Sequence, residues 1–198
     1  MTVTARTASI DRRTTETQIQ LTLDLDGDGS FSGSTGIGFF DHMLTAFSRH
    51  GRFNLQLSCS GDLHVDAHHT VEDVGICLGQ AVDRAVGNKQ GIQRFGWAYV
   101  PMDEALARAA VDVCGRGYLA YLAEFQEGWI GQFPVSLARE FFQALAGNGG
   151  LVVHLDLLRG DNDHHSVEAL FKACARALAA AVARTDDAGS IPSTKGTL

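Results

Sequence analysis

GRFNLQLSCSGDLHVDAHHTVEDVGICLGQAV, residues 51–82, and GGLVVHLDLLRGDNDHHSVEALFKACARAL, residues 149–178, are two versions of one segment once two residues are dropped from the loop before the paired histidines. Each reads as a strand, a turn, His-His and then an amphipathic helix. A shorter helical pattern precedes each copy, FFDHMLTAFSRHG in the first half and VSLAREFFQALAGNG in the second. Both end in glycine, as a helix C-terminus favours. The chain is therefore built twice, with halves of roughly 10–90 and 91–184.

Outward from the repeat, Thr17-Gln18-Ile19-Gln20-Leu21-Thr22-Leu23 alternates like a half-buried strand, and DGDG at 26–29 supplies its turn. RFGWAYVPM and ARAAVDVCG predict strands around a bend containing Pro101, and GYLAYLAEF predicts another. The expected class is α+β: a duplicated two-half sandwich, each half a small β-sheet with two helices, the four helices packed together. Residues 1–8 and the segment DDAGSIPSTKGTL after Thr185 are polar and helix-breaking, which is the composition of a disordered end.

A chain of 198 residues, 45% hydrophobic, can bury a substantial core. Its 16 basic against 23 acidic side chains give a formal charge of −7, which argues against a nucleic-acid binder or a basic membrane-surface protein. No apolar run approaches the roughly 18–20 residues that span a bilayer, and MTVTARTASIDRR lacks the apolar centre of a secretory signal. A soluble, unexported, cytoplasmic chain is expected. Cys59, Cys77, Cys114 and Cys174 stand far apart, without CxxC spacing, and read as reduced core thiols.

The long helices begin with HHTVE (His68, His69, Glu72) and HHSVE (His164, His165, Glu168). With eight His and seven Glu in the chain, one such motif is expected by chance only about 0.01 times. Two at matching places in a repeat call for a physical cause. On a helix the first His and the Glu are i, i+4 and share a face, while the second His is rotated by about 100°. One unit can then serve two metal ions, or one ion and a second partner. Imidazole with carboxylate suits borderline divalent first-row metals, and the lack of thiolate argues against a purely structural zinc site. His42 in FFDHML and Glu140 in REFF add two candidates at matching places: His42 precedes His68 by 26 residues and Glu140 precedes His164 by 24, a difference equal to the loop deletion. Taken singly, His50, His64 and His154 read as caps, surface groups or satisfied core residues.

GFFDHMLTAFSRHG, DLHVDAHHTVEDVG, DNDHHSVEALFKACARAL and IPSTKG together resemble the imidazoleglycerol-phosphate dehydratase family over nearly the whole chain, from RTTET at 13–17 to IPSTKG at 191–196. The resemblance implies a duplicated fold of the ribosomal protein S5 domain 2-like kind, a dinuclear manganese site, and a homo-oligomer of 24 subunits with the metals between chains. It further implies one metal held by His68, Glu72, Glu140 and His164 and another by His42, His69, His165 and Glu168. Where this chain has REFF, family members with EHFF carry histidine in place of Glu140.

The implied reaction is dehydration of imidazoleglycerol phosphate to imidazole-acetol phosphate in histidine biosynthesis. The proton to be removed is not next to a carbonyl, so a base alone is insufficient. A substrate ring bound to metal as imidazolate can push out the adjacent hydroxyl. Carboxylates must move the protons, and Glu16 of RTTET, Glu72 and Asp103 of PMDEAL are the candidates. For the phosphate, Arg94, Arg116, Lys172, Ser193, Thr194 and Lys195 match the family's contact stretches, and His50 and Glu16 fall in its substrate-contact stretches. Read alone, each of the cations is a solvated charge. A dinuclear metallohydrolase acting on a phosphate ester would use more Asp than the repeat-matched places hold. A non-catalytic metal-binding cage would have no use for phosphate-compatible basic residues. Within the resemblance, the tail 185–198 closes over the site of a single catalytic domain, 1–198.

Overall fold

A computed structural model describes residues 5–187 and 189–196. Residues 1–4, and residues 188, 197 and 198 of the expected tail, lie outside the described residues. The elements run β1 (Thr7–Arg13), β2 (Thr17–Asp24), β3 (Phe31–Ser34), α1 (Gly38–Gly51), β4 (Asn54–Gly61) and α2 (His68–Val86), then β5 (Phe95–Met102), β6 (Ala105–Val113), β7 (Tyr118–Leu122), β8 (Trp129–Ile130), β9 (Phe133–Pro134), α3 (Ser136–Gly149), β10 (Leu151–Arg159) and α4 (Asp163–Val182). One sheet has the order β1-β2-β4-β3 and the other β5-β6-β10-β7. In each, the last-named strand runs parallel to its neighbour and the rest are antiparallel. The fold is the duplicated α+β sandwich that the repeat predicts.

The period-2 pattern of β2 turns Ile19, Leu21 and Leu23 inward, and β4 adds Leu55 and Leu57. β6 and β10 contribute Ala107, Ala109, Val111, Val153 and Leu155 on the other side. Between the sheets, α2 packs on β1 and β2 and α4 on β5 and β6, while α2 pairs with α3 and α1 with α4. This helix pairing positions the site, because it brings the start of each long helix beside the short helix of the opposite half. All four cysteines are free; burial marks Cys77, Cys114 and Cys174 as core groups, with Cys59 partly buried against the core, and desolvation pushes Cys77 and Cys174 up to about 12.

Three local expectations need correction. Pro101 lies inside β5, opposite Leu106, and the bend is at Asp103-Glu104. The strand tolerates it because β5 is a sheet edge, where a missing N–H breaks no second ladder. The left-handed residue that ends α1 is Arg52 (φ 58°), not Gly51; Gly51 is required instead by packing, since a Cβ there would sit 2.4 Å from the Phe53 ring. Strand β1 starts at Thr7, within the stretch read as a polar end, because its partner β2 satisfies its backbone.

The outer faces of the two sheets differ. The first carries Gln18, Gln20, Thr22, Gln56 and Ser58. The second exposes Phe95, Trp97 and Tyr99 along β5 at 52, 71 and 57%, with Tyr118 and Leu122 on β7. The exposed large hydrophobic side chains are thus concentrated on one sheet.

Candidate functional site

Both long helices start close to the strand end that precedes them. A Cβ on Gly61 would meet Thr70 Oγ1 at 2.0 Å, and one on Gly160 would meet Ser166 Oγ at 2.2 Å, so glycine is what lets the third residue of each HH(T/S) turn sit there. Ahead of α2, Asp66 accepts from His68 N (2.7 Å); ahead of α4, Asn162 accepts from His165 N (3.2 Å). The consecutive rings are nearly perpendicular in both copies, 86° for His68 and His69 and 80° for His164 and His165. The start of α1, which carries His42, is fixed by Asp41 accepting from Thr35 N and Ser34 Oγ, both at 2.7 Å.

On the α1–α4 side, Glu168 is the hub. It is 6% exposed. Its Oε2 lies 3.0 Å from His42 Nε2 and 3.2 Å from His164 Nε2, and its Oε1 lies 2.5 Å from Lys172 Nζ. Burial raises its pKa, but the hydrogen bonds from Lys172 and His42 outweigh that and hold the carboxyl below the usual range. Phe39 closes one side of the cluster edge-on to His164, with ring centroids 5.0 Å apart.

The donor atoms of His42, His164 and Glu168 lie within 4.8 Å of one another, a group that could hold a metal. Two donors bonded at about 2.1 Å and at right angles to one cation would stand about 3.0 Å apart, close to the separations found here. A mostly buried carboxylate facing two neutral-capable imidazoles therefore fits a divalent ion. Asp103, Glu104 and His165 form a second group within the same limit.

On the α2–α3 side the donors are looser. His68 Nε2 is 3.7 Å from Glu72 Oε2, and His69 Nε2 is 3.7 Å from Glu16 Oε1. Glu140 has Arg139 beside it at 3.8 Å and, among the described residues, no histidine at bonding distance. Within one chain the eight sequence-predicted ligands thus divide by helix pair, with His42, His164, His165 and Glu168 on one side and His68, His69, Glu72 and Glu140 on the other. The chain does not bring His164 to His68, Glu72 and Glu140.

The second histidine of each motif has a carboxylate at both ring nitrogens. Asp62 lies 3.0 Å from His69 Nδ1, and Glu104 lies 2.9 Å from His165 Nδ1. At the other nitrogen stand Glu16 for His69 and, at 3.8 Å, Asp103 for His165. Glu16 and Asp103 occupy matching hairpins, β1–β2 and β5–β6. Hydrogen bonding to Asp62 and to Glu104 raises the pKa of His69 and His165, and the bonds that Glu104 accepts from the His165 ring and from the Asn162 N–H pull its carboxyl down to about 2. Sequence reasoning missed Asp62 and Glu104. Nothing but their nearness to HHxxE and to Asp103 could have flagged them, since both are loop acids with no periodic spacing.

A separate open cleft of about 760 Å³ is lined by Arg94, Phe95, Arg116, Pro192, Ser193, Thr194 and Lys195. It gathers five of the predicted phosphate contacts. Arg94 is committed to Asp112 through Nε at 2.7 Å and Nη2 at 3.2 Å, and its Nη1 donates to Pro192 O at 2.7 Å, so it ties the tail to the sheet. Among the described residues, Arg116 and Lys195 have no carboxylate partner. Lys172 sits elsewhere, on Glu168 and 3.6 Å from Met102 Sδ. His50 lines a third place, a groove with Arg52, Trp97, Tyr99 and Arg176, where burial and then Lys172 and Arg176 lower its pKa.

The family model described as imidazoleglycerol-phosphate dehydratase matches residues 35–178. An imidazoleglycerol-phosphate dehydratase from Acidiphilium cryptum (strain JF-5) is 57% identical over 195 residues, covering 98% of this chain and all of the relative. Two solved structures are similar: the Staphylococcus aureus dehydratase (TM-score 0.82, 38% identity, 90% of this chain and 99% of that one) and the Pyrococcus furiosus enzyme in complex with (S)-C348 (TM-score 0.83, 35% identity, 96% and 100%). Among the described residues, no helix is long and apolar enough to cross a membrane.

Proposed function

This chain belongs to the imidazoleglycerol-phosphate dehydratase family, hydro-lyases of histidine biosynthesis, and from that premise we propose how its own residues carry the reaction. The observation that carries the reading is the juxtaposition of His42, His164 and buried Glu168. Two divalent ions, first-row metals by donor chemistry and manganese by the resemblance, would be held by His68, Glu72, Glu140 and His164 and by His42, His69, His165 and Glu168. Bound there, they supply the positive charge that makes an anionic substrate ring accessible at neutral pH.

The chain's residues supply the rest. Loss of water needs one group to take the carbon-bound proton and one to protonate the departing hydroxyl. Glu16 and Asp103, at matching places beside His69 and His165, and Glu72 beside His68 are the carboxylates positioned for this work. The enol that results tautomerises to the ketone. Arg116, Lys195, Ser193 and Thr194 bind the phosphate, and Arg94 holds the tail at Pro192 against the sheet so that the cleft keeps its wall. Lys172 orients Glu168 and extends the positive field; His50 serves the substrate from its groove.

Each ion takes three ligands from one helix pair and one from the other. A single chain keeps those pairs on separate sides, so the fourth ligand comes from another copy. The exposed Phe95, Trp97 and Tyr99 face gives further surface for self-association, and the family resemblance implies an assembly of 24 subunits. In this reading the enzyme works in the cytoplasm, where a phosphorylated, water-soluble substrate is retained.

The decisive assay supplies imidazoleglycerol phosphate and manganese and follows ketone formation against phosphate release. Ketone without phosphate is the expected result; phosphate release would identify a hydrolase, and metal binding without turnover a cage. Chelator treatment of the purified protein should dissociate the assembly, because ion-bridged contacts depend on the ion. Light scattering before and after verified metal removal checks this, and an unchanged mass overturns it.

Glu140→Gln should weaken one of the two metal sites and lower turnover by roughly 10²-fold, since several kcal/mol of charge stabilisation depend on that ion. Manganese titration and steady-state kinetics read both effects. Two undiminished sites with near-normal turnover would make Glu140 an ordinary partner of Arg139.

A further inference from the structure

We propose that Asp62 and Glu104 are positioning residues that fix the ring tautomer and orientation of His69 and His165, leaving Nε2 of each free to ligate. The inference rests on the two-metal reading above and deepens it.

A carboxylate can only accept, so a ring nitrogen at 3.0 Å from Asp62 or 2.9 Å from Glu104 must carry the proton. In a neutral imidazole the proton on Nδ1 leaves the lone pair on Nε2. Both carboxylates are themselves anchored. The backbone of Asp62 donates to Glu16 O at 3.1 Å and accepts from Val65 N at 2.8 Å, and both its side-chain oxygens approach His69 Nδ1, at 3.0 and 3.2 Å. Glu104 uses Oε1 to accept from Asn162 N at 2.9 Å, immediately before α4, and Oε2 to face the ring. Neither pair is left to side-chain chance.

The two halves reach this arrangement from different elements. Asp62 follows β4, whereas Glu104 lies in the β5–β6 hairpin. An accidental ion pair would have no reason to recur at Nδ1 of the second histidine in both halves. Among the described residues, no carboxylate stands at hydrogen-bond distance from Nδ1 of His42, His68 or His164, the rings that meet their glutamates through Nε2. The first histidine is oriented by its own helix face and the i+4 glutamate; the second, rotated off that face, needs an external acceptor. His69 and His165 fall in one proposed ligand set, with His42 and Glu168, so both acceptors serve the same ion.

Asp62→Asn and Glu104→Gln test this, because an amide preserves shape and can face either tautomer. Each should lower manganese affinity about 10- to 100-fold at one of two sites and spare the other, the reverse of Glu140→Gln, read by titrating the full-length enzyme and following free manganese by electron paramagnetic resonance. Long-range ¹H–¹⁵N spectra of the histidine-labelled chain should show the Nδ1–H form of the affected ring giving way to a mixture. His69→Ala is the reference for outright ligand loss. If it weakens a site while both amide variants bind as tightly as the parent with unchanged ring spectra, the positioning role is overturned. If His69→Ala itself leaves both sites intact, the two-metal reading fails, and the spectra alone decide the orienting role.

Discussion

Glu168→Gln should cost at least roughly 10²-fold in turnover and remove most of the affinity of one metal site, at about 1.36 kcal/mol per decade and several kcal/mol of charge stabilisation per ion. The reason is the division of labour between its two oxygens. Oε1 faces the Lys172 ammonium at 2.5 Å, and Oε2 faces the imidazole nitrogens of His42 and His164 at 3.0 and 3.2 Å. An amide has one acceptor. Turned toward Lys172, it presents its NH₂ to the place a cation would occupy; turned toward the histidines, it points donor hydrogens at an ammonium. Either way a mostly buried charge loses its partner, which is costly wherever solvent cannot replace it. Metal titration, kcat and thermal unfolding of the purified variant measure the three consequences. Two intact metal sites and near-normal kcat, with only the melting temperature lowered, would reduce Glu168 to a structural counter-ion of Lys172.

That residue was legible in the sequence, and the reason is periodicity. HHxxE puts a histidine and a glutamate one helical turn apart, so spacing alone predicts the His164–Glu168 contact. The repeat likewise predicted two sheets with four central helices, because two segments with the same pattern fold alike. What spacing could not carry is which helix packs on which. That α1 lies against α4 and α2 against α3 is a tertiary outcome, and it alone decides that His42 joins Glu168 while Glu140 stands apart from it. Asp62 and Glu104 were equally hidden: their role depends on which ring nitrogen they face, and a loop acid carries no period. The short β8–β9 hairpin escaped too, since two residues per strand show no alternation. Pro101 misled for the opposite reason. Proline is a strong turn signal, but an edge strand leaves the missing donor without consequence.

Deleting the chain from Pro192 onward should lower kcat/KM by roughly 10²- to 10⁴-fold while the fold and metal content persist, if two charge-assisted phosphate contacts of about 1.5–3 kcal/mol each are lost. The fold should survive because the described residues of the segment, 192–196, add no buried hydrophobic residue, and because Arg94 keeps its paired bonds to Asp112 after losing the Pro192 carbonyl. The metal centre should survive because none of its eight proposed ligands lies beyond Glu168. What disappears is one wall of the cleft, with Ser193, Thr194 and Lys195, leaving Arg116 as its one cation without a carboxylate partner among the described residues. Lys195→Ala should show a milder form, about 10- to 100-fold, carried mainly by KM if the contact is equally strong in the ground and transition states. A larger loss in kcat than in KM would instead place the contact in the transition state. Steady-state kinetics on both variants, with manganese titration and circular dichroism on the same preparations, separates these outcomes. Normal kinetics in the truncated enzyme would return the segment to the free end that its composition suggests and leave Arg116 to hold the phosphate without it.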